Sequence, residues 1–142
     1  MNKKNLNVQI VVADYYKDIT DSLTNAAIDH LKKNNLKYEI FKVPGVYEIP
    51  QFIKWKLSSK KINLFIALGC VIKGETYHFE VISDAVGQSL LDISISNPKT
   101  IITNGIINSY SGTQAKKRST VDSKNKGFEA ASAMVRMIEC LI

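Results

Sequence analysis

The segment Ile62-Asn63-Leu64-Phe65-Ile66-Ala67-Leu68-Gly69 opens a unit that predicts the fold of this chain. Its short apolar run, closed by a glycine, is typical of a buried strand. A connection follows, and the largely apolar segment from Tyr77 to Ile95 predicts a long helix. The order of strand, connection and helix is typical of proteins built on a parallel sheet.

The same order recurs on both sides of this unit. Before it, the pattern predicts two strands and two helices: Val8 to Ala13, Asp18 or Thr20 to Lys33, Tyr38 to Val43, and Ile49 to Ser58. After it come a strand, a short helix and a last helix: Thr100 to Ile107, Thr113 to Arg118, and Asn125 to Leu141. Four such units predict an α/β fold with one four-stranded parallel sheet and helices on both faces.

The composition indicates a single domain over residues 1–142. Hydrophobic residues make up 45% of the chain and charged residues 23%, which excludes general disorder. No apolar run approaches the ~18 residues of a membrane helix, and no signal-peptide core is present. Cys70 and Cys140 are too few for a disulfide scaffold and lack the spacing of metal ligands, so we expect a cytoplasmic protein without a bound metal.

The net charge of +6 comes from 17 Lys and two Arg against 13 acidic residues. The lysines are scattered, and arginine, which nucleic-acid-binding proteins use for contacts to bases and phosphates, is scarce. We interpret the charge as a solvated surface, with a field that attracts a small anionic substrate as the alternative. Nucleic-acid binding is disfavoured.

The helix predicted from Tyr77 to Ile95 is apolar around most of its circumference. Such a helix must be covered on both sides. A chain of this size has little to cover the second side, so the pattern favours self-association.

Polar residues cluster in the connections after the strands, where an open parallel sheet binds its ligands. Tyr15 and Tyr16 can pack on the core, or one of them can stack on a flat ring. Glu48 can cap a helix or accept hydrogen bonds from a polyol. Gly74-Glu75-Thr76 can form a simple turn capped by its threonine, or a turn that binds an anion at the helix start. His78 can be a surface residue or a proton-transfer group.

Two cations later in the chain also have two interpretations. Arg118 either lies on a solvated face or binds phosphate through its fork of donors. Lys126 begins the last helix, where a cation is unfavourable beside the helix dipole, and this indicates a role other than helix stability. Cys70 and Trp55 are expected in the core.

Four segments together resemble the lumazine synthase (6,7-dimethyl-8-ribityllumazine synthase) family. Val43-Pro44-Gly45-Val46-Tyr47-Glu48-Ile49-Pro50 resembles its first signature, and Gly69-Cys70-Val71-Ile72-Lys73-Gly74-Glu75-Thr76-Tyr77-His78-Phe79 is similar to its second. Gln114-Ala115 followed by Arg118, and Asn125-Lys126-Gly127 before an Ala-rich helix, are similar to its C-terminal pattern. The likeness covers nearly the whole chain, in order.

The resemblance implies a flavodoxin-like three-layer sandwich that assembles as a homopentamer or a multiple of pentamers, with active sites between subunits. It implies a transferase that condenses 5-amino-6-ribitylaminouracil with 3,4-dihydroxy-2-butanone 4-phosphate. The products are 6,7-dimethyl-8-ribityllumazine, phosphate and water, and no cofactor is needed. A non-catalytic lumazine or flavin carrier on the same scaffold is the alternative. The presence of His78 and Arg118, which a carrier does not need, disfavours it.

The resemblance also implies a role for each matching residue. Proton transfer is assigned to His78, and stacking on the pyrimidine ring to Tyr15. Phosphate binding is assigned to Gly74, Glu75, Thr76 and Arg118. The other substrate-binding residues that it implies are Val46, Tyr47, Glu48, Cys70, Val71, Ile72, Asn104 and Lys126. Arg118 and Lys126 are expected to come from the neighbouring subunit.

The chain departs from the family pattern at several points. Asp14-Tyr15-Tyr16 replaces a frequent Arg-Phe-Asn, and Asn104 stands where many members carry an aromatic residue that helps to cover the ring. Ser119 to Lys124 replaces a Gly-rich stretch. The segment before the first strand, Met1 to Leu6, is short, and a longer arm would be needed to extend a neighbour's sheet. We therefore expect pentamers that stay free.

Overall fold

The computed structural model describes residues 2–120 and 124–142, in which four strands alternate with five helices. The strands are β1 (Asn7–Ala13), β2 (Lys37–Val43), β3 (Asn63–Ile72) and β4 (Thr100–Ser109). The helices are α1 (Lys17–Lys33), α2 (Ile49–Lys56), α3 (His78–Ser96), α4 (Gly112–Lys117) and α5 (Lys126–Leu141). Met1 and residues 121–123, which belong to the segment that replaces the Gly-rich stretch, lie outside the described residues.

The four strands form one parallel sheet in the order β2-β1-β3-β4. Side chains of successive residues point to opposite faces, so the sheet carries two hydrophobic clusters. One cluster packs against α1 and α5 and includes Leu23, Leu31 and Met134, all fully buried. The other packs against α2 and α3 and includes Ile53 and Val86. The predicted three-layer α/β fold is confirmed.

The strands β3 and β4 run further than the sequence predicts. β3 continues beyond Gly69 to Ile72, and it pairs with β4 as far as Ser109. Gly69 is not a stop signal: a Cβ atom built on it would lie 2.5 Å from Cγ1 of Val46. Glycine therefore allows the turn after β2 to approach β3 closely. The longer strands carry Cys70, Val71 and Ile72 to the edge where ligands bind.

The expectation that Trp55 lies in the core is wrong. Its side chain is 71% exposed, whereas Ile49 and Ile53, one helical turn apart on α2, are fully buried. With the inward face of this eight-residue helix set by that pair, Trp55 falls on the outward face. Cys70, by contrast, is buried as expected.

The helix α3 is apolar on both its inner and its outer face. Phe79, Ile82, Val86 and Leu90 are buried within the chain. Three outward residues are at least half exposed: Val81 at 50%, Leu91 at 53% and Ile95 at 73%. The described residues leave this outer side of α3 uncovered, and self-association stays a prediction. Among the described residues, none of the helices has the length and hydropathy needed to cross a membrane.

Candidate active site

A cavity of about 610 Å³ opens at the carboxyl ends of β1, β2 and β3. We call it the strand-end cavity. It brings together residues from four separate segments: Tyr15 and Tyr16, Gly45 to Glu48, Cys70 to Ile72, and His78, Val81 and Ile82. This is the position at which open parallel sheets bind their ligands. Most of the residues that the two signatures predicted therefore line one site.

Tyr15 and Tyr16 differ in burial, which bears on the two roles considered for them, packing on the core and stacking on a flat ring. Tyr16 is half-buried and packs against the core, and burial, followed by the neighbouring Tyr15, raises the pKa of its hydroxyl. Tyr15 is 77% exposed, with its ring edge-on to Tyr16 at a centroid distance of 5.0 Å. Tyr15 is thus the ring available to stack on a planar ligand.

The turn after β2 places Glu48 at the mouth of the cavity. Its side chain does not cap α2, so the cap interpretation is wrong. Within the described residues its carboxylate forms no hydrogen bond or ion pair. A Cβ atom on Gly45 would lie 3.0 Å from its Oε2, so the carboxylate folds over this glycine. Glu48 is consequently an acceptor that a ligand's hydroxyl groups can reach.

The connection between β3 and α3 leaves its backbone open to solvent. Gly74, Glu75 and Thr76 are exposed, and a Cβ atom on Gly74 would meet nothing within 4 Å. The residue before α3 is Tyr77, and no side chain caps the helix, so the Thr76 cap is also wrong. The free amides of the first turn can therefore receive an anion. These three residues do not line the strand-end cavity, but His78, the first residue of α3, does.

A second cavity, of about 570 Å³, lies beside the end of β4, and we call it the β4-side cavity. Its charged lining residues are Lys117, Arg118 and Lys126. The backbone N–H of Lys126 donates to the carbonyl of Arg118 at 2.7 Å, which fixes the two residues together. The Lys126 ammonium lies 3.5 Å from the Glu129 carboxylate, whereas the guanidinium of Arg118 has no ion pair within the described part of the chain.

Among the residues that the structure describes, none lines both cavities of one chain. Asn104 lines neither of them: it is exposed on the free edge of β4, and its Oδ1 accepts a hydrogen bond from the backbone N–H of Ile106 at 2.9 Å. In the single chain, the residues predicted to form one site therefore line two separate cavities, while Gly74 to Thr76 and Asn104 line neither.

Comparisons with known proteins give one consistent result. A sequence model of the family described as 6,7-dimethyl-8-ribityllumazine synthase matches residues 5–141. The chain belongs to this family.

Curated relatives carry the same description. The protein of Bartonella henselae is 42% identical over 137 residues, covering 95% of this chain and 88% of the relative. That of Bartonella tribocorum is 39% identical, covering 96% and 90%. That of Kosmotoga olearia is 37% identical, covering 93% and 86%. Each is described as 6,7-dimethyl-8-ribityllumazine synthase.

Several cavity residues were not predicted. Val81 and Ile82 line the strand-end cavity because they lie three and four residues after His78, on the same side of α3. That spacing is a usable signal in the sequence. Tyr110 and Lys117 line the β4-side cavity, but nothing in their sequence context separates them from ordinary surface residues.

Proposed function

We propose that this chain condenses 5-amino-6-(D-ribitylamino)uracil with 3,4-dihydroxy-2-butanone 4-phosphate to form 6,7-dimethyl-8-ribityllumazine, phosphate and water. This is the penultimate step of riboflavin synthesis. One observation carries the proposal: Tyr15, Glu48 and His78, from three connections of a chain that belongs to this family, line one cavity at the strand ends.

The strand-end cavity suits the pyrimidine substrate. The exposed ring of Tyr15 stacks on the flat uracil, and the apolar side chains of Val46, Val71 and Ile82 complete the wall. The Glu48 carboxylate accepts hydrogen bonds from the ribityl hydroxyls. Tyr47, Cys70 and Ile72 line the same space.

The phosphate of the second substrate binds at the connection before α3. Gly74, Glu75 and Thr76 offer exposed backbone at a helix start, where an anion is favoured. Arg118, which has a free guanidinium within the described residues, supplies a fork of charged donors. Lys126 adds positive charge near the ring carbonyls, whereas Asn104, although predicted to bind substrate, lines neither cavity.

The chemistry needs little beyond positioning and proton transfer. The enzyme holds the amine of one substrate against the ketone of the other, which converts a bimolecular encounter into an oriented reaction. His78 lies at the cavity and beside the phosphate connection, so it transfers protons as the new bonds form and water leaves. The phosphate-binding groups stabilise the departing anion.

Two protomers together form each complete site in this proposal. The strand-end cavity of one protomer faces the β4-side cavity of the next protomer. Arg118 and Lys126 of that second protomer reach the site across the interface. Three exposed apolar residues on the outer face of α3 support such an assembly: Val81, Leu91 and Ile95. A homopentamer follows from the family resemblance, and light scattering tests it. A particle of about a megadalton would instead indicate a closed shell.

The direct test is to mix both substrates with the protein. We expect lumazine absorbance and phosphate release at rates above those of the protein-free mixture, and neither signal when one substrate is omitted. Binding of the pyrimidine without turnover would favour the carrier instead.

Free thiols at Cys70 and Cys140 fit a reducing cytoplasm, and fractionation of the source cells tests that location.

A further inference from the structure

Lys73 and Glu80 form an ion pair across the connection that leads into α3. The Nζ atom of Lys73 lies 3.6 Å from Oε1 of Glu80. Lys73 is the first residue after β3, and its backbone N–H donates to the carbonyl of Ser109 at 2.9 Å. Glu80 lies in the first turn of α3. The pair therefore ties the end of the sheet to the beginning of the helix.

The residues between these two ends have few other restraints. Residues 74–77 are exposed, and within the described chain their side chains form no hydrogen bond or ion pair. One backbone hydrogen bond links this segment to the helix: the N–H of Val81 donates to the carbonyl of Tyr77 at 3.3 Å. The conformation of residues 74–77 consequently depends on how firmly the two ends are held.

The pair lies at the surface, with 45% of the Lys73 side chain and 32% of the Glu80 side chain exposed, but one oxygen of Glu80 is buried. Oε2 of Glu80 is buried without a hydrogen-bond partner among the described residues, and the Lys73 ammonium beside Oε1 offsets part of the cost of burying this carboxylate. The Lys73 ammonium also lies over the ring of Tyr110, 5.5 Å from its centroid, which adds a second contact to the same ammonium. Lys73 and Glu80 line neither cavity, so they do not face the pyrimidine.

We propose that Glu80 is a positioning residue: through Lys73 it holds the phosphate-binding connection, Gly74 to Thr76, and His78 in their working geometry. The inference rests on the proposed function, since it assigns a structural cause to the geometry of that phosphate site. A connection with looser ends spends less time in the geometry that binds phosphate, and small misplacements at a reacting centre cost rate.

The test compares Glu80→Gln with Glu139→Gln. Both changes remove one carboxylate from one ion pair, but the Lys3–Glu139 pair, at 3.7 Å, joins the short 3-10 turn at Lys3–Asn5 to α5 and lies outside both cavities. In Glu80→Gln we expect the Michaelis constant for the phosphate substrate to rise by about two- to fivefold. The constant for the pyrimidine stays near wild type, and Glu139→Gln leaves both unchanged. If the Michaelis constant for the phosphate substrate fell in Glu80→Gln, Glu80 would be competing with phosphate for Lys73. That result would overturn the proposal.

The reciprocal exchange separates positioning from charge. The double variant Lys73→Glu/Glu80→Lys restores the ion pair with the two charges exchanged. We therefore expect its Michaelis constant for the phosphate substrate to recover part of the way toward the wild-type value. If the double variant is as impaired as Lys73→Gln, the lysine charge itself serves the phosphate and the positioning role is wrong.

Hydrogen exchange gives a measurement that does not depend on turnover. Amides of residues 78–82 should exchange faster in Glu80→Gln than in wild type and in Glu139→Gln. Unchanged exchange would overturn the inference even in an active enzyme. Failure of the proposed function appears separately, as a wild-type protein that makes no lumazine.

Discussion

His78 is the residue to which the proposed mechanism assigns proton transfer. It is exposed at the first position of α3 and lines the strand-end cavity, so its removal costs little stability. We expect His78→Ala to slow turnover by about 10²–10⁴-fold, nearer the lower end because the amine and ketone already react slowly in water. Steady-state kinetics and thermal unfolding measure the two effects. Wild-type turnover across neutral pH would refute the assigned role.

Arg118 tests the phosphate site through the shape of its side chain. Arg118→Lys keeps the charge but loses the planar fork, so the Michaelis constant for the phosphate substrate should rise by about tenfold or more. The Michaelis constant for the pyrimidine should change little, because the proposed function places that substrate in the strand-end cavity. Arg136→Lys, an exposed arginine on α5 that lines neither cavity, is the matched control. If the pyrimidine constant moves instead, the two parts of the site are assigned the wrong way round.

The two cysteines should differ in reactivity. Burial raises the pKa of the Cys70 thiol to about 11, so it stays protonated near pH 8, whereas Cys140 is exposed. Because the thiolate is the reactive form, an alkylating reagent at pH 8 should label Cys140 quickly and Cys70 slowly. Labelling of Cys70 in Cys140→Ser should accelerate as the pH rises toward 11, as mass spectrometry can follow. Rapid labelling of Cys70 at pH 8 would show that the cavity wall opens in solution.

At the scale of elements, hydrophobic patterns in the sequence predicted where strands and helices lie. β1, β2, α3 and α5 begin and end within one residue of their predicted bounds. The end of β3 was missed because Gly69 was interpreted as a stop, although its role is to make room for Val46. Trp55 was misplaced because a single aromatic residue does not show which face of a short helix is inward.

The candidate site was predictable in its parts, and the separate position of Arg118 and Lys126 was expected from the family resemblance, not from local patterns. Tyr15, Glu48 and His78 all follow strands, and the rule that ligands bind at strand ends places them together. The separation of Arg118 and Lys126 into another cavity depends on the sheet order, which local patterns do not contain.

Gly127 tests the contact between α1 and α5. A Cβ atom there would overlap the carbonyl oxygen of Leu23 and lie 2.7 Å from its carbonyl carbon, so the two helices must move apart. We expect Gly127→Ala to lower the free energy of unfolding by about 1–3 kcal/mol. Gly87→Ala, within α3 and with nothing within 4 Å of the added atom, should instead raise it by about 0.5–1 kcal/mol. Denaturant unfolding measures both, and equal stability of the two variants would contradict this close approach.

At the scale of the whole molecule, the separation of the two cavities leads to a test of the shared site. His78→Ala lacks the proposed proton-transfer group of the strand-end cavity, and Arg118→Ala lacks the proposed phosphate-binding group of the β4-side cavity. If neighbouring protomers complete each site, co-expression of the two variants restores activity. An Arg118→Ala protomer brings an intact His78 to an interface, and a His78→Ala protomer brings an intact Arg118. In a random mixture about a quarter of the interfaces carry both, which sets the maximum recovery.

The control for this experiment uses two residues of the same cavity. His78 and Glu48 both line the strand-end cavity of one chain, so no interface between His78→Ala and Glu48→Ala protomers contains both residues intact. Co-expression of that pair should restore nothing. Recovery in both pairs would mean that the variants are not inactive for the assigned reasons. Failure of the His78→Ala and Arg118→Ala pair, in assemblies that mass spectrometry shows to contain both variants, would place the whole site within a single chain.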